Sequence, residues 1–302
     1  MLPGALWAAD GREGRLIERT VPSSSQRIPV MGIGTNAFGT AGYDRVRAVL
    51  RRMYAMGGRM LDTAADYGES EALIGRALSE LGIRGRMFLA TKFNSPRAQH
   101  AGSPPGSSPP GERLYGRASF ERSLRRLQAD HVDLIYAHFI YSWEPLMPLM
   151  LQLKQQGKAR YIGISTASVS EHPQLVAAMR KHPIDFIQVD YSIANRDAAA
   201  TVFPVALERR IAVVVDMPLG GLFTSLLGEA SRRPLPRWAP ELGIGSWAQY
   251  LLKYVVAHPA VTCAIPGATK VEHLVDDQLA GRGRLPTAAQ RRQMEEYWDA
   301  KR

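Results

Sequence analysis

Four residues of this 302-residue chain have the types and spacing for a single proton transfer: Asp62, Tyr67, Lys92 and His138. A phenol has an ordinary pKa near ~10 and is a poor acid at neutral pH unless a cation steadies the phenolate it leaves behind. Lys92 can supply that cation, Asp62 can keep the ammonium charged and oriented, and His138 can orient or polarise a carbonyl oxygen held against Tyr67. No side chain supplies hydride, so a cofactor must, and the chemistry expected of the set is carbonyl reduction. Each residue also has a plainer use: Asp62 as a helix cap or as half of a structural ion pair with Lys92, His138 as a hydrogen-bonded core residue, Tyr67 as rim packing. What favours chemistry is their joint placement. Asp62, Lys92 and His138 each directly follow a short apolar run, and Tyr67 lies five residues past Asp62.

Those runs belong to a regular alternation. Strand patterns fall at 30–34, 59–61, 87–91, 132–137, 161–164, 186–189, 211–215 and 261–265, and a stretch of helical period follows each one. Eight such units predict an α/β fold, a (β/α)8 TIM barrel, in which polar residues at the carboxyl ends of the strands converge on one site. Most intervals between successive strand ends are 23 to 30 residues, but two are 46 and 50. The excess lies in 94–116, containing SPPGSSPPG, and in 220–243, containing RRPLPRWAP, so two loops are expected over the barrel mouth. Residues 287–300 predict a carboxy-terminal helix outside the eight units. The expected organisation is an amino-terminal segment over 1–27, partly disordered or the remnant of an export signal, and a single barrel domain over 28–302. An open doubly wound sheet is the competing architecture, but Gly32-Ile-Gly34-Thr-Asn-Ala lacks the third glycine of its dinucleotide turn.

Composition narrows the function classes. Apolar residues make up 45% and charged residues 22%, an ordinary globular balance, and no apolar run approaches the ~18 residues of a membrane span. The net charge of +10 comes from short basic pairs such as Arg51-Arg52 and Arg125-Arg126, without the dense basic and aromatic block of a nucleic-acid surface. Small anionic molecules are the better match for that charge. One cysteine, Cys263, excludes an internal disulfide and a cysteine metal cluster, and no metal site is expected. The start MLPGALWAAD resembles the tail of an export signal. A cytoplasmic location is expected, with the periplasm as the alternative if such a signal lies upstream. Composition leaves the oligomeric state open.

The segment Gly58-Arg-Met-Leu-Asp62-Thr-Ala-Ala-Asp-Tyr67-Gly68, with Glu71, Gly75 and Leu78 after it, resembles the signature of the aldo-keto reductases. Ala90-Thr-Lys92, Ser123-Leu-x-x-Leu127-x-x-Asp130-x-Val-Asp133-Leu and Ile265-Pro-Gly-Ala268 are similar to further motifs of that family. The similarity runs from about Ile28 to Ala280. It implies the catalytic tetrad Asp62, Tyr67, Lys92 and His138, with tyrosine as general acid, and NADPH extended across the barrel mouth.

The resemblance also implies cofactor contacts. Gly34 and Thr35 match the positions after the first strand, and Ser165 and Gln188 match groups that hold the nicotinamide carboxamide. Thr166 stands where an asparagine is usual, and Asp216 where many members place an aromatic residue to stack on the nicotinamide. Pro218-Leu219-Gly220 resembles the loop that crosses the pyrophosphate. After Pro266, the segment with Gly267 offers Lys270 and His273 to a 2′-phosphate, and Asp277 where an asparagine often faces the adenine. Phe93, Phe139, Tyr141 and Trp143 are expected to line an apolar vestibule for an aldehyde or ketone. Two other functions stay open: an NADP(H)-binding subunit or sensor with little turnover, suggested by Thr166 and Asp216, and a Schiff-base lyase using Lys92.

Overall fold

In a computed structural model, the described residues are 14–93, 115–140, 143–221 and 225–300. The strands are β1 (Glu18–Thr20), β2 (Arg27–Pro29), β3 (Ile33–Gly34), β4 (Met60–Asp62), β5 (Phe88–Lys92), β6 (Val132–Ala137), β7 (Ala159–Ser165), β8 (Phe186–Asp190), β9 (Ala212–Asp216) and β10 (Val261–Ala264). β3 to β10 pair in chain order, all parallel, as one eight-stranded sheet. The sheet closes on itself through Met31 against Ala264 and Gly34 against Gly267. Gly34 donates its N–H to Pro266 O at 3.0 Å, and a Cβ there would meet Ile265 O at 2.9 Å, so this seam needs a glycine. The expected (β/α)8 barrel is the observed fold.

The helices are α1 (Phe38–Ala41), α2 (Tyr43–Ala55), α3 (Ser70–Glu80), α4 (Gly116–Arg126), α5 (Trp143–Gln155), α6 (His172–Lys181), α7 (Asp197–Thr201), α8 (Phe203–Arg209), α9 (Leu226–Ala230), α10 (Trp247–Val256), α11 (Val271–Ala280) and α12 (Ala288–Asp299). The helix expected over 196–209 is split into α7 and α8, because Pro204 starts a new helix and cannot continue the old one. α12 is the expected carboxy-terminal helix, opened by a capping box between Thr287 and Gln290. The mouth loop over 94–116 lies mostly outside the described residues. The one over 220–243 carries α9 and a turn at Ala239–Leu242, and it is pinned to α12 by Tyr297, whose hydroxyl donates to Pro234 O at 3.1 Å.

The period of two along each strand is what builds the site. Inward-facing residues rise in columns: Phe88, Ala90, Lys92 on β5; Leu134, Tyr136 on β6 and then His138; Tyr161, Gly163, Ser165 on β7; Ala212, Val214, Asp216 on β9. The lower members form an apolar barrel core with Met60, Phe186 and Cys263, and the polar member tops each column. Gly163 is obligatory in its column, since a Cβ would lie 2.7 Å from the Tyr136 ring and from Phe186 O.

One feature the sequence did not suggest is the antiparallel hairpin of β1 and β2. The expected division at residue 27 cuts this hairpin in two, and both of its strands lie under the barrel. Val21 and Ile28 join the inner core and plug its floor, and Arg19 donates to the carbonyls of Val256, His258 and Val261. Residues 1–13, where the export-signal expectation falls, lie outside the described residues. Among the described residues no helix is long and apolar enough to cross a membrane.

Candidate active site

Asp62 ends β4 and Lys92 ends β5, with side chains only 2% and 1% exposed, and they meet as a buried ion pair. Lys92 Nζ also donates to Thr63 O at 2.9 Å. Its ammonium lies 5.2 Å from the centre of the Tyr67 ring, within reach of a cation–π contact. The Tyr67 ring in turn stands edge-on to His138, centroids 5.8 Å apart at 73°. Those four expected catalytic residues are thus brought together at the barrel mouth. Asp66, quoted in the motif but given no role from sequence, approaches His138: Oδ2 lies 3.3 Å from Nδ1.

Burial dominates the electrostatics. It pulls the Lys92 ammonium down, but Asp62 first and then Tyr67 outweigh it, and Lys92 ends above its ordinary range. Burial raises the Asp62 carboxyl, against Lys92. Burial likewise raises the Tyr67 phenol, and Lys92 opposes this without prevailing. The expectation that the ammonium makes the resting phenol acidic is therefore corrected: desolvation of the phenolate costs more than the ammonium returns. Burial holds the His138 imidazole below its usual value, so the ring is neutral at pH 7.

The expected cofactor residues divide into groups. Ser165 donates its hydroxyl to His138 O, tying two columns together. Gln188 Nε2 donates to Asp216 Oδ2 at 3.1 Å, while Gln188 Oε1 and Asp216 Oδ1 are buried without a hydrogen-bond partner among the described residues. Gly34 and Gly267 face each other across the seam. Beyond Asp216, Met217 adopts a left-handed φ of 47° and Gly220 a φ of 112°; Gly220 N–H closes the turn onto Met217 O at 3.0 Å, with Pro218 and Leu219 between. A non-glycine residue in that region stores strain of the kind found at functional turns.

The other expected residues fall in varied surroundings. Thr35 is fully buried, and its hydroxyl donates to Asp62 O at 2.9 Å and lies 3.0 Å from Ser70 Oγ, which ties β3 to β4. Thr166 gives its hydroxyl to Glu171, a partner missed in the sequence. Lys270 and His273 are exposed at the start of α11, and neither enters an ion pair among the described residues. Asp277 is buried one turn further on, its carboxyl pushed up to about 8 by burial and by the charge of Asp276. Phe93 packs on Phe120 of α4 and Trp143 on His182 at the end of α6, centroids 6.2 and 4.8 Å apart, so both belong to the packing between strands and helices. Phe139 stacks on His138 at 4.4 Å and remains at the mouth. Tyr141 lies outside the described residues. Glu71 and Gly75 prove to be scaffold: Glu71 accepts from Thr91 Oγ1 at 2.7 Å, and a Cβ on Gly75 would lie 2.2 Å from Arg126 O, where α3 presses on the end of α4.

The donors and acceptors at the mouth suit a nicotinamide cofactor. Its carboxamide needs both kinds of group, and Gln188 Oε1 is a buried acceptor left without a donor. Among the described residues no group of three or more metal-ligating side chains occurs.

The chain is 26% identical to an aldo-keto reductase of Bacillus halodurans in its holo form, with a TM-score of 0.75 over 93% of this chain and 96% of that one. It is also 26% identical to a Klebsiella pneumoniae aldo-keto reductase in complex with NADPH, with a TM-score of 0.70 over 94% and 96% of the two chains. An aldo/keto reductase from Klebsiella pneumoniae in complex with NADP and acetate gives 26% identity and a TM-score of 0.68 over 91% and 93%. With the Aldo/keto reductase family model matched over residues 30–287, the chain belongs to the aldo/keto reductase family.

Proposed function

We propose that this chain reduces an aldehyde or ketone to an alcohol with NADPH, and that Tyr67 is the general acid. The observation that carries the reading is the buried Asp62–Lys92 pair set against the Tyr67 ring, itself edge-on to His138. NADPH, when bound, supplies the hydride; Ser165, Gln188 and Asp216 would hold its nicotinamide end, and Lys270, with His273 beside it, would meet its 2′-phosphate. Tyr67 carries its proton at neutral pH, since burial above all raises its pKa. It hands that proton to the carbonyl oxygen as the oxygen gains negative charge. Lys92 then steadies the phenolate, and Asp62 keeps Lys92 charged. Burial keeps the His138 ring neutral, so it carries one N–H donor and one lone-pair acceptor. His138 therefore orients the phenol and the substrate. A Schiff-base role for Lys92 needs a neutral amine, which Asp62 opposes.

NADPH consumption against a panel of small carbonyls, nitrobenzaldehyde included, tests the reading with wild type and Tyr67→Phe side by side. The variant is expected to lose about 10²–10⁴-fold in kcat with cofactor affinity unchanged. A variant that keeps its rate overturns the acid assignment. A second reading, a cofactor-holding sensor, is favoured by the Thr166 hydroxyl being taken by Glu171. Tight NADPH binding by wild type with no oxidation by any carbonyl of the panel would select it.

A further inference from the structure

At the mouth, β8 and β9 end in two carboxyls side by side, because Asp190 and Asp216 are register partners in the parallel ladder. Asp190 Oδ2 accepts from Asn195 Nδ2 at 2.9 Å. Among the described residues Asp216 has only the neutral Gln188 amide on Oδ2, and its buried Oδ1 has no hydrogen-bond partner. The groups that act on it electrostatically come from every side: Asp190 on β8, Lys92 on β5, Asp62 on β4, Tyr67 in the loop after β4 and Tyr136 on β6. The one cation among them, Lys92, is already engaged by Asp62 and by Thr63 O. No cation lies within ion-pair distance of Asp216 among the described residues. A carboxylate so placed is short of one positive charge.

The two redox forms of the cofactor differ in that respect. The oxidised nicotinamide ring is a pyridinium cation and the reduced ring is neutral, while phosphates, riboses and adenine are common to both. We propose that Asp216 makes the site hold oxidised NADP more tightly than NADPH, by setting a carboxylate beside the nicotinamide ring, next to Gln188. The proposal rests on the cofactor reading above. Burial, and after it the charge of Asp190, pushes the Asp216 carboxyl up to about 7, against the Gln188 hydrogen bond and Lys92. The preference for the oxidised form therefore grows as pH rises through neutrality, and binding of that form releases a proton.

The test is titration of the full chain with NADP+ and with NADPH, followed by quenching of tryptophan fluorescence, at pH values from about 5 to 9. The ratio of the NADPH to the NADP+ dissociation constant cancels every group that touches only the shared parts. In wild type this ratio is expected to rise by roughly tenfold or more from the acid to the alkaline side, the weight of one opposite charge at close range. In Asp216→Asn it is expected to stay low and flat. A flat ratio in wild type, which needs no variant to fold, overturns the role of Asp216 and leaves the cofactor reading standing. The same rise in Asp216→Asn as in wild type also overturns it. Failure of wild type to bind either form overturns both readings together.

Discussion

Selected polar groups around the inner core are paired differently at the two ends of the barrel. At the floor, the Tyr161 hydroxyl lies 2.7 Å from Ser24 Oγ and donates to Gln26 Oε1 at 3.0 Å, and Arg19 covers three backbone carbonyls. At the mouth, Asp62 Oδ2, Gln188 Oε1 and Asp216 Oδ1 are buried without hydrogen-bond partners among the described residues. An unsatisfied buried group costs about 1–3 kcal/mol, so the mouth gives up stability that the floor supplies. The bare acceptors at the mouth are open to groups of a bound molecule.

The sharpest way to break this contrast is at the ion pair. Lys92→Met strands the Asp62 carboxyl in a buried setting and is expected to destabilise the chain by about 3–5 kcal/mol in urea unfolding, as well as abolishing turnover. Adding Asp62→Asn removes the stranded charge. The double variant is expected to recover wild-type stability or exceed it and to stay inactive. If it remains as unstable as the single variant, the pair belongs with the floor as a stabilising feature.

The floor is expected to answer in the reverse sense. Arg19→Ala uncovers the carbonyls of Val256, His258 and Val261 and is expected to cost about 2–3 kcal/mol, read as a lower midpoint in urea, with kcat and KM unchanged. A change in kcat comparable to the change in stability would show that the two ends are not separable.

At the mouth again, Asp216 opposes folding in a pH-dependent way. Its carboxyl is pushed up to about 7, chiefly by burial, from an unfolded value near ~3.9, so the folded state binds the proton more tightly. The stability associated with that proton is full below about pH 4 and is lost as pH rises to about 7. Asp216→Asn is thus expected to leave stability unchanged near pH 4 and to raise it by about 1–3 kcal/mol at pH 8, measured by urea unfolding at both values. Equal effects at the two pH values would mean that the carboxyl is not desolvated in the folded chain.

Much of this was legible in the sequence because it follows from period. Strict alternation along the strands places Lys92, His138, Ser165, Gln188 and Asp216 above apolar residues two positions earlier, and that is enough to assemble the mouth. Partners that come from elsewhere in the chain were not legible. The resemblance implied Thr35 as a cofactor contact, and nothing in its neighbourhood announces Ser70, 35 residues away, as its partner. Asp190 carries the period signal, two residues past Gln188, yet passed unnoticed because its strand was expected to stop at Val189. The hairpin was hidden for another reason. Its strands are three residues each, too short for any alternation to stand out. The direction of the Tyr67 shift was misjudged because charge is visible in a sequence and burial is not.

The contrast sharpens to a single strand. β7 carries Tyr161 at the floor and Ser165 at the mouth, four residues apart in one inward column. Tyr161→Phe removes a hydroxyl shared by Ser24 and Gln26, which keep Arg160 Nη1 at 2.9 Å from Gln26 Oε1 as a substitute, so the expected cost is about 1 kcal/mol with unchanged kinetics. Ser165→Ala removes a donor to His138 O, and its expected signature is a several-fold weaker NADPH affinity by fluorescence titration, with a stability change of about 1 kcal/mol or less. Both substitutions delete one oxygen, both leave the backbone of β7 intact, and their stability costs overlap. If Tyr161→Phe weakens NADPH affinity as much as Ser165→Ala does, the floor is coupled to the mouth through the strand, and the division between a stabilising end and a reactive end fails.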